Sequence, residues 1–336
     1  MGEFDLIRRY FTRPSPGAVV GVGDDCAILQ TAPGMQLAIS TDMLVEGRHF
    51  FADVDPRALG HKALAVNLSD LAACGARPLA FTLALALPSA DATWLEPFAA
   101  GLFDLADTHG CELIGGDTTR GPLNLCITVF GEVPGRATGP TRTQALLRSG
   151  AKAGDDVYVS GTLGEAALGL QHRLGRLQLD AAVAAACCAR LERPTPRVAL
   201  GMALRGIASA CADVSDGLLS DLGHILERSA VGAQLDDAAL LACCPWARSG
   251  IDVPSVRNCV RNGGDDYELV FTAAPAHAQA VAAASRASST PVQRIGRIDT
   301  LQGLRVVDSA GHAMAISSQG FDHFAPADTT PRSATT

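Results

Sequence analysis

The chain has 336 residues, of which 48% are hydrophobic and 18% are charged, with 34 glycines and 18 prolines. This composition is that of a globular protein and excludes a disordered, collagen-like or coiled-coil chain. A formal net charge of −8 argues against a broad nucleic-acid-binding surface and against an anionic-membrane surface. At about 150 residues per domain, the length predicts two domains.

In the first half of the chain, strand patterns alternate with helical patterns. The sequence predicts a short helix at 3–12 and strands at 26–29 and 37–41. Asp55 and Pro56 have the residue types of a helix N-cap and first helical position, for a helix that runs to Gly75. Further on, the patterns predict a buried strand at 78–87, a helix at 91–110, and strands at 111–115 and 123–133.

A segment rich in Gly, Pro, Thr and Arg at 134–156 separates the two halves, and we place a domain boundary near residue 148. The second half is predicted to contain strands at 156–161, 266–273, 292–298 and 304–309, and helices at 163–175, 179–191, 216–229 and from 194 onward. The expected fold class is α/β, of the α+β type. Its parts are domains at 1–147 and 148–325 and a flexible tail at 326–336.

The longest apolar runs, at 79–87 and 181–189, are much shorter than the roughly 20 residues that span a bilayer. The N-terminal segment carries acidic residues and has no signal-peptide pattern. We therefore expect a cytoplasmic protein without a membrane partner.

The ten cysteines include no C-x-x-C pair, and most of them lie in apolar runs. We interpret them as small core residues, because free cysteine is among the most buried residue types. A structural zinc site or a redox role is the alternative.

Acidic residues stand beside glycine where several predicted segments end: GVGDD at 21–25, ISTD at 39–42, IGGD at 114–117, ADVSDG at 212–217 and NGGDDYE at 262–268. One such junction is usually only a turn, so the signal is their recurrence. Asp70 lies inside an apolar helical segment, three residues after Asn67, and a buried carboxylate there requires a partner.

Clustered carboxylates repel one another by roughly 4 kcal/mol at 4 Å, so they either protonate or bind a cation. Aspartate oxygens together with the Ser40 and Thr41 hydroxyls suit Mg²⁺ better than zinc. These features predict a Mg²⁺-nucleotide site. Neither a G-x-x-x-x-G-K-[ST] loop nor a G-x-G-x-x-G turn after a strand is present. We expect the backbone amides of Gly115 and Gly116, the helix start after 215–217, and Arg148 to hold phosphate.

The same segments resemble the thiamine-monophosphate kinase family, within a superfamily that includes aminoimidazole ribotide synthetase and selenophosphate synthetase. The resemblance runs from about residue 3 to residue 324. It is carried by GVGDDCAIL, LAISTDMLVEGRHF, KALAVNLSDLAACGARP, LIGGDTTRG, RSGAKAGDDVYVSGTLG, ADVSDGLLSDLGHI, GGDDYEL and QGFDHF.

The resemblance implies a Mg²⁺-dependent homodimer that uses ATP to phosphorylate thiamine monophosphate to thiamine diphosphate. It implies that the N-terminal mixed sheets of two copies pair into a β-barrel. It also implies that nucleotide binds in a cleft between the N-terminal domain and a C-terminal α/β sandwich-like domain. The positions matching the family's metal ligands are Asp25, Ser40, Thr41, Asp42, Asp70, Asp117, Asp213 and Asp216. Those matching its nucleotide contacts are Gly116, Asp117, Arg148 and Ser215, and those matching its substrate contacts are His49, Asp265 and Phe321.

Two positions depart from the family pattern. Asp265 stands where relatives more often have Glu, and Phe321 stands where a Tyr also occurs. The shorter Asp265 side chain reaches less far, and Phe321 keeps an aromatic face without a hydroxyl.

The chemistry requires no strong base, because a phosphate monoester has a second pKa near 6 and is largely deprotonated at neutral pH. We therefore expect direct transfer without a phosphoenzyme, and we assign no residue as nucleophile or base. The alternatives are another ATP-dependent synthetase of the superfamily and a non-catalytic nucleotide-binding module.

Overall fold

The structure is a computed structural model that describes residues 2–136 and 142–316. Phe321 and the predicted tail at 326–336 lie outside the described residues. Within the described ranges, no helix is both long and apolar enough to cross a bilayer.

The first half forms a four-stranded mixed sheet with two long helices. Its elements are α1 (Glu3–Leu6), a π-helical turn (Ile7–Phe11), β1 (Ala18–Val20), β2 (Ile28–Leu29), β3 (Met35–Val45), α2 (Pro56–Ala73), β4 (Arg77–Leu87), α3 (Ala92–His109), β5 (Glu112–Arg120) and β6 (Asn124–Pro134). The sheet order is β3-β6-β4-β5, in which β4 and β5 are parallel and the other pairs are antiparallel. β1 and β2 form a separate small ladder.

Helix α2 begins as the sequence predicts. Asp55 is its N-cap, with the carboxylate accepting from the Ala58 amide at 2.9 Å, and Pro56 occupies the first helical position. The helix is buried around most of its circumference, because it packs against α3, the sheet and the second half of the chain. The prediction that Asp70 lies on a well-buried helix is confirmed.

Helices α2 and α3 cross at two glycines, Gly60 and Gly101. A Cβ on Gly101 would lie 1.9 Å from the Arg57 carbonyl oxygen. The close approach of the two helix backbones therefore requires a glycine at position 101. We expect Gly101→Ala to lower the free energy of unfolding by about 3 kcal/mol, through overpacking, as measured by urea titration.

A matched control is Gly223→Ala, since a Cβ there would meet nothing within 4 Å. We expect this control to raise the stability by about 0.5–1 kcal/mol, because alanine is the better helix former. Equal effects of the two substitutions would contradict the packing argument.

The second half forms a six-stranded mixed sheet flanked by helices. Its elements are β7 (Asp156–Ser160), α4 (Glu165–Arg173), α5 (Ala181–Glu192), α6 (Val198–Ala203), β8 (Ala210–Asp213), α7 (Leu218–Ser229), β9 (Gly232–Asp236), α8 (Asp237–Ala242), α9 (Val253–Asn262), β10 (Leu269–Ala273), a 3₁₀ turn (Pro275–His277), α10 (Ala278–Ala287), β11 (Val292–Asp299) and β12 (Gly303–Val307). The strand order is β12-β9-β11-β7-β10-β8, and only the β12–β9 pair is parallel.

Alternate residues of this second sheet face two different cores. Val157 and Val159 on β7 belong to a core within the second half, whereas Tyr158 belongs to a core that is continuous with the first half. Tyr158 stacks on Phe271 of β10 with ring centroids 5.3 Å apart. One apolar core therefore continues across residue 148.

The cysteine prediction is only partly confirmed. All ten cysteines are free thiols, and six of them are buried: Cys111, Cys187, Cys211, Cys243, Cys244 and Cys259. Cys26 is exposed in the loop between β1 and β2, and Ile28 of the small β1–β2 ladder is also exposed.

Candidate active site

Two strands that carry predicted site residues are longer than their sequences suggest. β3 continues past Thr41 to Val45, and β5 continues past Gly115 to Arg120, so Asp42 and Asp117 lie within strands rather than at strand ends. β3 is an edge strand, and the Asp42 amide donates to the Asn67 side-chain oxygen on α2 at 3.0 Å. This bond joins the strand to the helix that carries Asp70.

Three aspartates from distant segments converge at this junction: Asp42 on β3, Asp70 on α2 and Asp213 at the end of β8. The Ser40 hydroxyl donates to the Asp70 carboxylate. The Ser69 hydroxyl donates to Asp213 Oδ2 at 2.8 Å, across 144 residues of sequence. Strand, helix and second sheet thus each contribute one carboxylate to what we call the acidic cluster.

The pKa values of the three aspartates in the acidic cluster are raised, because negative charges lie close together where solvent access is limited. Burial, with repulsion from Asp70 and Asp216, raises the pKa of Asp42 to about 6. Burial, with repulsion from Asp70, raises the pKa of Asp213 to about 8. Burial also raises the pKa of Asp70, although the Ser40 hydrogen bond and the Arg148 charge oppose the increase. The cluster therefore favours a bound cation, which would stabilise the charged carboxylates.

A fourth buried acid, Asp221 on α7, organises the loop between β8 and α7. Its Oδ2 accepts from the backbone amides of Ser215, Asp216 and Gly217, each at 3.1 Å. A carboxylate of the same chain therefore already occupies these three amides. The expectation that the helix start after 215–217 holds phosphate concerns the turn that follows them, and it stays a prediction. Burial and repulsion from Asp216 raise the pKa of Asp221 to about 7.

Arg148 and Asp216 lie near the acidic cluster. Burial raises the pKa of both Asp70 and Asp221, and the Arg148 charge opposes both increases, so this exposed arginine lies within electrostatic range of the acidic cluster. Asp216 contributes to the raised pKa of Asp42, which locates it next to β3. Ser215 adjoins them in the loop held by Asp221.

Other predicted ligands lie away from the acidic cluster. Thr41 is exposed and its hydroxyl pairs with that of Thr128 at 2.9 Å, on the sheet face opposite Asp42. Asp117 is paired with Ala84, and both are exposed on that same opposite face. Gly116 has φ +150°, and a Cβ there would lie 2.0 Å from the Leu83 carbonyl oxygen.

Asp25 is exposed in the loop between β1 and β2, where its amide donates to the Asp24 carboxylate at 3.1 Å. Among the contacts of residues 2–136 and 142–316, none joins Asp25 to the acidic cluster. Its assignment as a metal ligand stays a prediction, as do those of the other seven residues: Ser40, Thr41, Asp42, Asp70, Asp117, Asp213 and Asp216.

The two predicted substrate contacts that the structure describes share one neighbour. Lys62 Nζ lies 2.9 Å from Asp265 Oδ1 and donates to the His49 carbonyl oxygen at 3.2 Å. The His49 ring accepts at Nδ1 from the Val45 amide at 2.9 Å. Phe321, the third predicted substrate contact, lies outside the described residues.

The GGDDYEL segment is anchored by a buried ion network. Glu268 is fully buried and accepts from Arg190 at 2.9 Å, from Arg197 Nε at 2.6 Å and from Ser160 at 2.5 Å. Two guanidinium groups therefore neutralise one buried carboxylate, which fixes the chain immediately after Asp265. Neighbouring Asp266 is also buried and accepts from the Gly164 amide at 2.8 Å.

Two protein-family models match the two halves of the chain separately. The model of the AIR synthase related protein N-terminal domain matches residues 23–133, and that of the C-terminal domain matches residues 152–309. Thiamine-monophosphate kinase of Escherichia coli K12 is 45% identical over 329 residues, covering 96% of this chain and 98% of the relative. The chain belongs to the thiamine-monophosphate kinase family.

Solved structures of the family agree in fold. The thiamine-monophosphate kinase of Stenotrophomonas maltophilia K279a has a TM-score of 0.80 and 45% identity, covering 93% of this chain and 96% of that one. A structure described as AaThiL complexed with AMPPCP and TMP has a TM-score of 0.73 and 28% identity, covering 96% of this chain and 97% of that one. Hydrogenase maturation protein HypE, at 21% identity and a TM-score of 0.71, shares the fold.

For this family member, sequence reasoning missed Asp221, Ser69 and Lys62 as parts of the site. Ser69 directly precedes Asp70, which was predicted as a metal ligand. Asp221 lies in an amphipathic helix, where a carboxylate ordinarily faces solvent. Lys62 carried no signal beyond its position in an apolar helix. Their contacts join segments far apart in the chain, and such pairs have no local pattern.

The raised pKa values predict how the stability of the metal-free kinase depends on pH. Folded Asp213 and Asp221 retain protons that the unfolded chain releases near pH 4, so unfolding releases protons and stability falls as pH rises. The lowered pKa values of His61 and His109 act in the opposite direction, but only below about pH 6.5. Between pH 6.5 and 8.5 we expect a loss of about 2–3 kcal/mol.

Thermal unfolding in a chelating buffer measures this loss. Asp213→Asn should flatten the pH dependence, because the substituted side chain no longer titrates. A stability that rises over the same interval would contradict the prediction.

Proposed function

We propose that this protein transfers the γ-phosphoryl group of ATP to thiamine monophosphate, giving thiamine diphosphate and ADP. The observation that carries the proposal is the acidic cluster, in which Asp42, Asp70 and Asp213 converge beside Arg148. Family membership over nearly the whole chain supports it. So does the relative whose structure contains AMPPCP and TMP, a non-hydrolysable nucleotide and the phosphate acceptor.

We propose Mg²⁺ as the cation of this site. The donors are all oxygens, namely buried carboxylates with raised pKa values and the nearby Ser40 hydroxyl, and such a set fits a hard divalent cation. Within the described ranges, no three His, Cys, Asp or Glu side chains are arranged to hold a metal ion by themselves. Mg²⁺ usually keeps several waters and shares phosphate oxygens of its substrate, so the proposal requires these further ligands. Bound there, it would offset the charge of the polyphosphate.

We assign the other predicted site residues to nucleotide or acceptor binding. Arg148 and the Ser215–Asp216 loop, held by Asp221, would contact the nucleotide phosphates. His49 and Asp265 would contact the acceptor, with Phe321 assigned from the sequence alone. The acceptor oxygen is already ionised at neutral pH, so positioning and charge compensation suffice for direct in-line transfer.

We propose two domains, 1–147 and 148–325, with the cleft between them. The two larger sheets use separate parts of the chain, 35–134 and 156–307. The acidic cluster draws Asp42 and Asp70 from the first part and Asp213 from the second. The apolar core that continues past residue 148 would hold the two domains together.

We also propose that the protein is a homodimer in which two four-stranded sheets pair into a barrel. Edge strand β3 exposes Leu37 (46%), Ile39 (59%) and Met43 (55%) on the face opposite Asp42. An apolar stripe on an unpaired edge favours association with a second copy. Thr41 and Asp117 lie on this same face, which the second copy would approach.

Light scattering tests the dimer proposal. We expect Ile39→Asp to convert a dimer into a monomer, whereas Leu301→Asp, at an equally exposed apolar residue (67%), should leave the dimer intact. A monomeric wild-type protein would refute the proposal.

The activity test uses ATP, Mg²⁺ and thiamine monophosphate with the purified wild-type protein. Thiamine diphosphate and ADP should appear in equal amounts. Nucleotide binding without product would indicate the non-catalytic module, and ATP turnover only with a different acceptor would indicate another synthetase of the superfamily. A phosphorylated enzyme that passes its phosphate to the acceptor would refute direct transfer.

A further inference from the structure

Lys62 is a buried ammonium group within an apolar helix. It lies on α2 with 3% of its side chain exposed. Lys62 and Lys152 are the two lysines of the chain, and every other basic residue except histidine is an arginine. A buried charge is costly unless it is paired and hydrogen-bonded, so its partners account for its presence.

Those partners come from two distant segments. The ammonium contacts the Asp265 carboxylate at 2.9 Å, in the second half of the chain, and the His49 carbonyl oxygen at 3.2 Å, between β3 and α2. Both segments carry residues assigned above to the acceptor. Lys62 therefore ties the two parts of the proposed acceptor site to one rigid helix.

Asp265 is held in an unusual backbone conformation. Its φ is +66° and that of Tyr267 is +50°, a left-handed region that non-glycine residues rarely adopt. Backbone bonds fasten both residues to the end of β8: the Asp265 amide donates to the Ser215 carbonyl at 2.9 Å and the Tyr267 amide to the Val214 carbonyl at 2.8 Å. The loop is thus held in place although its conformation is strained.

The two oxygens of the Asp265 carboxylate differ in their surroundings. Oδ1 receives both the Lys62 ammonium and, at 3.3 Å, the Tyr267 hydroxyl. Oδ2 has no hydrogen-bond partner among the residues that the structure describes, and the side chain is 30% exposed. One oxygen is fixed by the protein, and the other is available to a ligand. Burial raises the pKa of Tyr267, so its hydroxyl stays a donor.

We propose that Lys62 is a positioning residue for the phosphate acceptor: by holding Asp265 Oδ1, together with Tyr267, it directs Oδ2 toward a hydrogen-bond donor of thiamine monophosphate. The inference rests on the proposed function. It assigns Lys62 to acceptor binding and not to the nucleotide, because its contacts are to His49 and Asp265 and not to the acidic cluster. An aspartate side chain reaches less far than a glutamate side chain. The orientation of the Asp265 carboxylate therefore has a larger influence on whether Oδ2 reaches the ligand.

Steady-state kinetics and calorimetry of Lys62→Met test the proposal. Methionine keeps the length and apolar stem, removes the buried charge, and leaves a carboxylate that is exposed enough to hydrate. We expect the KM for thiamine monophosphate, and its Kd by calorimetry, to rise about tenfold, the factor that corresponds to one charge-assisted hydrogen bond. The KM for ATP should change less than about twofold.

A double substitution separates positioning from a merely structural role. If Lys62 acts through Asp265, Lys62→Met should add nothing to the KM effect of Asp265→Asn, so that the double variant equals Asp265→Asn alone. Tyr267→Phe, which removes the other bond to Oδ1, should raise the same KM to a smaller extent. Lys152→Met, at the exposed lysine, is the matched control and should resemble wild type.

The outcomes are distinguishable. Absence of thiamine diphosphate with wild-type protein refutes the proposed function and this inference with it. An active wild type with an unchanged acceptor KM in Lys62→Met overturns the inference alone. Equal increases in both KM values, or additive effects in the double variant, overturn it in favour of a structural role. If Lys62→Met fails to fold, Tyr267→Phe and Lys62→Gln carry the same comparison.

Discussion

Replacing Asp213 by Asn is expected to lower kcat by at least about 10³-fold, because the acidic cluster would lose one of the oxygen ligands that we propose for Mg²⁺. Folding should be nearly unaffected at neutral pH. The pKa of Asp213 is raised to about 8, so the metal-free protein holds this side chain mostly protonated, and asparagine resembles the protonated acid in size and neutrality. The asparagine amide also keeps an oxygen acceptor for the Ser69 hydroxyl.

The measurement is kcat with saturating substrates, together with thermal unfolding of the metal-free protein at pH 7. Asp180→Asn, at an exposed aspartate whose side chain makes no cap bond, should match wild type in both. Turnover of Asp213→Asn near the wild-type value would remove the acidic cluster from the mechanism. A large loss of stability would show that the carboxylate has a structural role instead.

Substituting Glu268 by Gln should cost about 3–5 kcal/mol of stability, the range for breaking a buried ion pair on one side. Glutamine matches the side chain in shape but leaves the charges of Arg190 and Arg197 without their shared carboxylate in a fully buried place. Because Glu268 also holds the loop that carries Asp265, the acceptor KM should rise in whatever fraction of the protein stays folded.

Calorimetric unfolding checks this expectation, with Glu227→Gln on an exposed face of α7 as the control that should not change the transition. An unaltered unfolding temperature for Glu268→Gln would mean that the two arginines are already solvated in the native state. It would also remove the anchor that we assign to the GGDDYEL segment.

The sequence was most informative where one local pattern decides the structure. Asp55 and Pro56 marked the start of α2, and the apolar residues around Asp70 correctly implied a well-buried helix, in which Asp70 itself is half-buried. Strand ends were predicted less well. Glycine and aspartate usually break strands, yet β3 tolerates Asp42 because an asparagine on α2 satisfies its amide. Tertiary contacts decide such boundaries, and no short window of sequence contains them.

The residue types of the acidic cluster could be chosen from the sequence, whereas its geometry could not. Oxygen ligands and the need for a cation follow from residue types, whereas the Ser69–Asp213 and Lys62–Asp265 pairs join residues far apart in the chain. The three amides that Asp221 occupies illustrate a further limit. Asp221 lies within α7, and no local pattern shows that its carboxylate accepts from three amides of the loop before that helix.

The two faces of strand β3 carry different sets of side chains. Ser40 and Asp42 face the acidic cluster, while Ile39, Thr41 and Met43 face away from it. Since side chains alternate strictly along a strand, inserting or deleting one residue before Ser40 would exchange the two sets at once. Such a register shift of one position would turn a carboxylate toward the face that we propose for dimer contact, and an isoleucine or methionine toward the acidic cluster. The proposed dimer and the proposed phosphate site thus depend on the same stretch of backbone, and we expect the shift to abolish both together.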